Sequence, residues 1–570
     1  MENEFINEKT NALLQKIGKK NIYPSDSIYS DMDYIGKNGF LSLIIDQKYN
    51  GNKMSIMAQS KILSKISSYN PSLGVAIMVP NSLGPGELLQ HYGTHSQKNK
   101  YLPKLANGEL IPCFGLTGPN NGSDAVGSID SGTVKKINDK LCIEIELNKR
   151  YITLAPISNI IGIAFKLNDP QNLIKNDDNY GSDGITLALI NNNHPGIELE
   201  TYHNPNNAGF PNGTIKGKII IDFEDIIGGP TKSGHGWQML MECLAVGRGI
   251  SLPATANGAS KTITFGILNY IKHRRQFNMP ISKMEAVREK FVDMFINTWI
   301  INSSVHFMNH ILDKGNIPSV LTAIMKQQTT ERGRGILNHG MDIYAGSAIC
   351  IGPNNFFTEY YNSTPVGITV EGSNTLTRGL IIFGQGLNKS HPHIYNLFDN
   401  IQNNDLDNFI INFNKMSKDV LSNYFSSINI PLKNKNTEQR IQNLISKFSN
   451  LTNFIALLGG KIKKNQMISG NMADILSNIY LIHSVLWFHN HYTNTNIDFI
   501  QEICIQHLLD EAEFKLNMVI DNYPNYFIKN ILKPTKTNNN KLFLKFSNLY
   551  YFIIKFVIFF RIIFKIIKFF

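Results

Sequence analysis

Cys113-Phe-Gly-Leu-Thr-Gly-Pro-Asn-Asn-Gly-Ser-Asp124, taken with Ile368-Thr-Val-Glu-Gly-Ser-Asn-Thr-Leu-Thr-Arg378, decides the reading of this 570-residue chain. The first stretch is a turn-rich loop holding two hydroxyls, Thr117 and Ser123, and glycines that let a backbone approach a ligand closely. Successive N–H groups and hydroxyls in such a loop suit the polar edges of a planar ring. The second stretch sets one carboxylate, Glu371, at the end of the apolar approach Pro365-Val-Gly-Ile-Thr-Val370, with Leu376 and Leu380 beyond it. A carboxyl in such surroundings is expected to titrate above its ordinary range, which suits a general base near neutrality.

The hydrophobic period changes around these stretches. Residues 1–112 read as a helical domain, with helical spacing from Met54 to about Ser68 and glycine stops at Gly39 and Gly93. Residues 113–230 read as a β-domain. Leu141–Leu147 alternates apolar and polar, and Ile161–Leu167, Gly184–Ile190, Gly196–Glu200 and Gly217–Phe223 follow between turn residues, suggesting a compact barrel or sandwich. Residues 231–390 read as a bundle of long helices near 237–275, 284–313 and 318–343, and 391–533 as an additional helical domain. Residues 534–570 form a basic apolar tail. The expected fold class is mainly α with a middle β-domain.

The net charge is +11, but eight basic residues and no acid lie between Lys533 and Phe570, which leaves +3 for the first 532 residues. That balance, and the lack of any nucleic-acid-binding signature, disfavours a nucleic-acid partner. The five cysteines are scattered and fit a reducing cytoplasm. Met1-Glu-Asn-Glu-Phe-Ile carries no signal-peptide pattern. No H-E-x-x-H, P-loop, G-x-G-x-x-G or G-x-S-x-G motif occurs, so no metal is expected.

These motifs, in this order, resemble the acyl-coenzyme A dehydrogenase family, most nearly its long bacterial form with an extra C-terminal helical domain. The resemblance runs from about residue 30 to 530 and includes Ser82-Leu-Gly-Pro-Gly-Glu-Leu-Leu-Gln-His-Tyr-Gly93 and Ile382-Phe-Gly-Gln-Gly386. It implies the family fold (helical N-domain, β-barrel or sandwich, helical bundle) and FAD as cofactor. The cofactor-binding residues would be Thr117, Gly122, Ser123, Tyr151, Thr153, Arg274, Gln276, Gly346, Ser373 and Thr375. Substrate would meet Ser123, Asp124, Arg248 and Gly372, and Glu371 would be the catalytic base. In the family an Arg stands seven residues after that base, and Arg378 matches it. Relatives that place the base beside the Arg of Ala245-Val-Gly-Arg-Gly249 would use the position of Gly247, which has no side chain. The first Arg of Arg274-Arg-Gln-Phe277 would reach the flavin nucleotide of a neighbouring subunit, which implies a homodimer. Ala345 stands in place of the first glycine of the family's Gln-x-x-Gly-Gly element, Asp342 in place of its Gln, and Glu285 where a Gln is more common; Gly118 and Asn121 also depart from the usual pattern.

The implied reaction converts a saturated medium- or long-chain fatty acyl-CoA to the trans-2-enoyl-CoA, the first step of fatty-acid β-oxidation. The Glu371 N–H and a flavin ribityl hydroxyl would stabilise the developing enolate, and electrons would leave to an electron-transfer flavoprotein. Two alternatives stand beside it: an acyl-CoA oxidase using oxygen, and a non-catalytic relative that binds acyl-CoA or membranes. In the tail, the longest uncharged run is Phe546–Ile554, too short to span a bilayer, while Arg561, Lys565 and Lys568 share one helical face. A peripheral anchor at the inner membrane and a functionless extension are both open readings.

Overall fold

The computed structural model describes residues 1–82, 84–175, 177–199, 202–428, 436–492 and 497–537. The tail from Leu542 to Phe570, with its proposed anchor, lies outside the described residues. The chain forms two compact units: residues 1–263, 309–317 and 345–372 in the first, and 264–308, 318–344 and everything from Ser373 onward in the second.

The first unit opens with six main helices: α1 (Thr10–Ile17), α2 (Ile28–Lys37), α3 (Ile56–Ser67), α4 (Pro71–Met78), α5 (Pro85–Tyr92) and α6 (His95–Ala106). Their starts are written locally. Ser55 caps α3 by accepting from the Ala58 N–H, and Asn70 caps α4 ahead of Pro71. Thr94 and Gln97 form a capping box on α6; each such cap contributes about 1 kcal/mol. Gly39 after α2 has a φ of 81°, as a left-handed stop requires. Gly93 after α5 serves differently: a Cβ there would lie 2.6 Å from the Leu89 carbonyl oxygen.

One six-stranded sheet follows: β1 (Pro112–Gly115), β2 (Ser131–Ile137), β3 (Lys140–Thr153), β4 (Ile160–Asn168), β5 (Gly184–Asn191) and β6 (Asn212–Asp222). β5 pairs antiparallel with one edge of β4. β1 and β2 lie one after the other along the other edge, both parallel to it, through Ile160–Ile163 and Lys166–Asn168. β2 then pairs with β3 and β3 with β6, both antiparallel. The expected strand at Gly196–Glu200 is only an isolated bridge from Glu198 to Lys216, and Glu200 lies outside the described residues.

β4 is apolar on both faces because both are covered. Ile161, Ile163, Phe165 and Leu167 join a core with the N-terminal helices, while Ile160 and Ala164 join a second core with Leu88, Leu89, Leu102 and Met239. Long helix α7 (Gly236–His273) leaves the sheet and runs on into the second unit.

The second unit holds most of α8 (Glu285–Asp313) and all of α9 (Ser319–Tyr344). A π-helical segment, Thr377–Gln385, precedes the additional helices: α10 (Ile394–Gln402), α11 (Leu406–Ser427), α12 (Thr437–Ala456), α13 (Gln466–Tyr492), α14 (Asp498–Asp521) and α15 (Tyr526–Leu532). These additional helices share their core with α8 and α9; Trp299 meets Phe488 edge-on at 5.9 Å. Among the described residues no helix is long and apolar enough to cross a membrane.

Candidate active site

In the first unit the Thr117 loop and the end of β3 are held together. The Arg150 N–H donates to the Thr117 carbonyl at 3.0 Å. Asn121, nearly buried, shapes the loop: its Oδ1 accepts from the Gly118 N–H at 2.6 Å, and its Nδ2 donates to the Leu116 and Ala125 carbonyls. Gly118 is required by packing, since a Cβ there would lie 2.8 Å from the Asn148 carbonyl oxygen. The two departures from the family pattern, Gly118 and Asn121, thus bond to one another. Gly122, Ser123 and Asp124 are exposed at the tip, and a Cβ on Gly122 would touch nothing within 4 Å.

β3 carries one extra residue against β6 between Lys149 and Ile152. That bulge puts Tyr151 at a φ of 60° with 58% of its surface exposed. Its ring meets His203 edge-on at 5.0 Å, and the Arg150 guanidinium lies over it. A bulge re-aims a side chain out of a strand's regular alternation. Thr153, just beyond, is half-buried and accepts one long bond, 3.4 Å, from Asn212.

Glu371 follows a helix, Thr358–Thr369, and has a φ of 55°; Gly372 follows at 91°. A glutamate in the left-handed region costs roughly 1–2 kcal/mol, and such strain persists where the surroundings over-determine it. Upstream, Val370 packs against the main core of the first unit. Glu371 is half-buried and its Oε2 is cut off from solvent. On α7 a Cβ at Gly247 would lie 3.1 Å from the Ser82 Cβ, so a base at that position would need Ser82 to move. Arg248 beside it keeps a buried Nε with no hydrogen-bond partner among the described residues, a cost of about 1–3 kcal/mol unless a ligand supplies an acceptor. Ala345 has a φ of 52°, which explains why a glycine is usual there, and a Cβ on Gly346 would meet open space.

In the second unit Arg274 precedes a two-stranded hairpin, β7 (Arg275–Gln276) and β8 (Met279–Pro280). Phe277 and Asn278 form its turn with φ values of 49° and 60°. Arg274 and Gln276 are exposed, and Phe277 is 85% exposed at the tip. Ser373 and Thr375 start the segment beyond Glu371. Between them, buried Asn374 accepts from the Lys326 ammonium at 2.7 Å and donates to Thr330 and Glu331. Arg378 is engaged elsewhere: it grips Asp474 of α13 through two bonds of 2.7 and 2.6 Å and donates to Asn471. Asp342 pairs with Lys290, and Glu285 is 94% exposed at its side chain.

Sequence reasoning overlooked Lys149, which is 0% exposed within β3. The signal was present: Ile143, Ile145, Leu147 and Lys149 all fall on the inward side of the alternation. It also overlooked Glu87 on α5, whose carboxyl burial pushes up to about 8.

The models of the acyl-CoA dehydrogenase N-terminal domain, C-terminal domain and bacterial-type C-terminal domain match residues 1–109, 234–384 and 388–541 in turn. The 3-(aryl)acrylate reductase of Clostridium sporogenes (strain ATCC 15579) is 28% identical over 347 residues, 60% of this chain and 86% of its own. The acyl-CoA dehydrogenase of Bacillus subtilis (strain 168) is 27% identical over 317 residues, 53% of this chain and 77% of its own. The structure of an acyl-CoA dehydrogenase complexed with FAD from Bacillus anthracis superposes with a TM-score of 0.74 at 17% identity, covering 97% of this chain and 93% of that one. The chain belongs to the acyl-CoA dehydrogenase family, FAD-dependent oxidoreductases, and has that family's fold with the appended helical domain.

Proposed function

We propose that this chain binds FAD and oxidises saturated medium- to long-chain fatty acyl-CoA to trans-2-enoyl-CoA, the first step of fatty-acid β-oxidation. The observation that carries the reading is the strained, half-buried turn at Glu371 and Gly372. The first unit also fits the cofactor. It offers open backbone at Gly122 and Gly346, hydroxyls at Thr117 and Thr153, and an outward aromatic ring at Tyr151. Ser123, Gln276, Ser373 and Thr375 are proposed to add polar contacts.

The bound FAD would supply the acceptor for the hydride leaving the substrate β-carbon. Glu371 takes the α-proton, and its own backbone N–H is offered to the thioester oxygen, where charge develops. Arg248 is proposed to donate to substrate through its buried Nε, and Ser123, Asp124 and Gly372 are proposed to meet substrate as well. Arg274, exposed just before the hairpin, is proposed to reach the cofactor of a second copy, which makes the working form a homodimer. The reduced cofactor must be reoxidised, and an electron-transfer flavoprotein is the proposed acceptor. Five free cysteines suit a reducing compartment, proposed to be the cytoplasm.

The test is the visible spectrum of the purified protein before and after anaerobic palmitoyl-CoA, beside Glu371→Gln. Flavin absorbance should bleach in the parent and persist in the variant, whose turnover should fall by about 10²–10⁴. A colourless protein that takes up no FAD would sink the cofactor reading, and bleaching indifferent to the substitution would sink the base. Fast reoxidation in air would favour an oxidase instead.

A further inference from the structure

Lys149 is the least expected charge in the first unit. It has no exposed surface, and its Nζ is surrounded by three acceptors: the Ala164 carbonyl at 2.8 Å, the Leu116 carbonyl at 3.3 Å and Asp130 Oδ2 at 3.2 Å. An ammonium has three donors, so each one is used. The acceptors belong to three different segments. Leu116 leaves β1 just before Thr117, Ala164 lies in β4, and Asp130 closes the excursion that Thr117 opens.

Asp130 is tied in turn on both sides. Its Oδ2 accepts from the Asn148 N–H at 2.9 Å, and its carbonyl accepts from the Lys166 N–H at 2.8 Å. The stem of Lys149 also has reserved space: a Cβ on Gly115 would lie 3.2 Å from the Lys149 Cγ. Burial lowers the Lys149 ammonium from its ordinary value, and Asp130 works against that.

Stability alone does not call for this arrangement. A buried ion pair is often matched or bettered by apolar residues of similar volume. What apolar residues cannot do is bond the Leu116 carbonyl and the Asn148 N–H, the two backbone groups that flank Thr117 and the β3 bulge. The bulge carries Tyr151, and Thr153 follows it.

Resting on the FAD reading above, we infer that Lys149 and Asp130 are positioning residues for the cofactor: their buried pair locks the Thr117 loop to the β3 bulge and so sets Thr117, Tyr151 and Thr153 in one register. Neither side chain needs to touch the ligand. Groups that hold a binding constellation from behind commonly cost 10–100-fold in affinity when removed, by analogy with the partners of metal ligands.

The experiment compares FAD affinity in full-length wild type, Lys149→Met and Asp130→Asn, by titrating flavin-stripped protein and following flavin fluorescence. Far-UV circular dichroism and thermal melting are recorded on the same samples. Both variants should remain folded and bind FAD about 10-fold or more weakly, with an altered visible circular dichroism of the bound flavin. A folded Lys149→Met with wild-type affinity and spectrum overturns the inference. Should Lys149→Met fail to fold, Asp130→Asn decides in the same way. Wild type that takes up no FAD overturns the cofactor reading and this inference with it; uptake by wild type with unchanged variants overturns this inference alone.

Discussion

At the scale of single residues, backbone conformation shows where this chain departs from its easiest choices. Ala345 holds a φ of 52° with a ψ of −131°, a combination that glycine adopts freely and alanine does not. Ala345→Gly should relieve about 1 kcal/mol of strain and raise the thermal midpoint by about 1–2 °C, since the shift per kcal/mol shrinks with size; differential scanning fluorimetry would show it. Glu371 is strained in the same sense, and there the strain falls on the residue proposed to do chemistry. Glu371, Thr117 and Tyr151 stand out as candidates in the sequence because each sits in a short motif of distinctive residue types. The opposite holds for Arg378. Its spacing from Glu371 was readable, but its partner Asp474 comes 96 residues later, and only folding brings the two to 2.6 Å. Lys149 was visible as an inward position, yet nothing local announced that its acceptors would be Leu116, Ala164 and Asp130.

At the scale of elements, long helices were easy to find and short strands were not. α7, α8 and α9 were anticipated to within two residues at each end, since three helices of that length leave many apolar repeats to read. β1 has four residues and reads as part of a loop, and β2 is broken by Lys135 and Lys136; both are strands because β4 pairs with them. Among the helices of the second unit, a polar cluster joins four elements. Arg332 of α9 donates to Asn297 of α8, Asn478 of α13 and Glu511 of α14, and His507 lies 3.1 Å from Glu511. Burial alone would raise the Glu511 carboxyl, but Arg332 and His507 outweigh it and hold the group well below the usual carboxylate range. Its contribution is present above the unfolded value of about 4.3 and is lost as pH falls toward the folded one. Burial alone would lower His507, but Glu511 outweighs that and raises it. The His507 contribution is therefore full below about 6.5 and is lost as pH rises through the folded value. Melting profiles between about pH 6 and 9 should fall for wild type and flatten for His507→Gln. Glu511 keeps 38% of its side chain exposed. Glu511→Gln should therefore cost about 1–2 kcal/mol at neutral pH, short of the loss for a fully buried pair.

For the whole molecule, the additional helices are part of the second unit and not an accessory to it. Removing them strands Arg378 without Asp474, Arg332 without Glu511 and Trp299 without Phe488. A chain ending after Ser390 should accordingly be insoluble, or should elute as aggregate with no cooperative melt, when expressed beside the full-length protein. A soluble, cooperatively melting truncation would show that the bundle segments can close over the exposed faces by themselves. Composition foretold that a chain of this length needs several cores, but it gave no sign of which helices would share one.

The serial placement of β1 and β2 on one edge of β4 has a consequence for protein engineering. The excursion between them departs from and returns to a single template strand, and hydrogen bonds to Ile160–Ile163 and Lys166–Asn168 fix both ends. Loops of other lengths and compositions from relatives can be grafted there while the strand pairing stays put, provided the graft keeps an equivalent of Asp130 at its return. The excursion can then be exchanged as one cassette without disturbing the sheet that carries it.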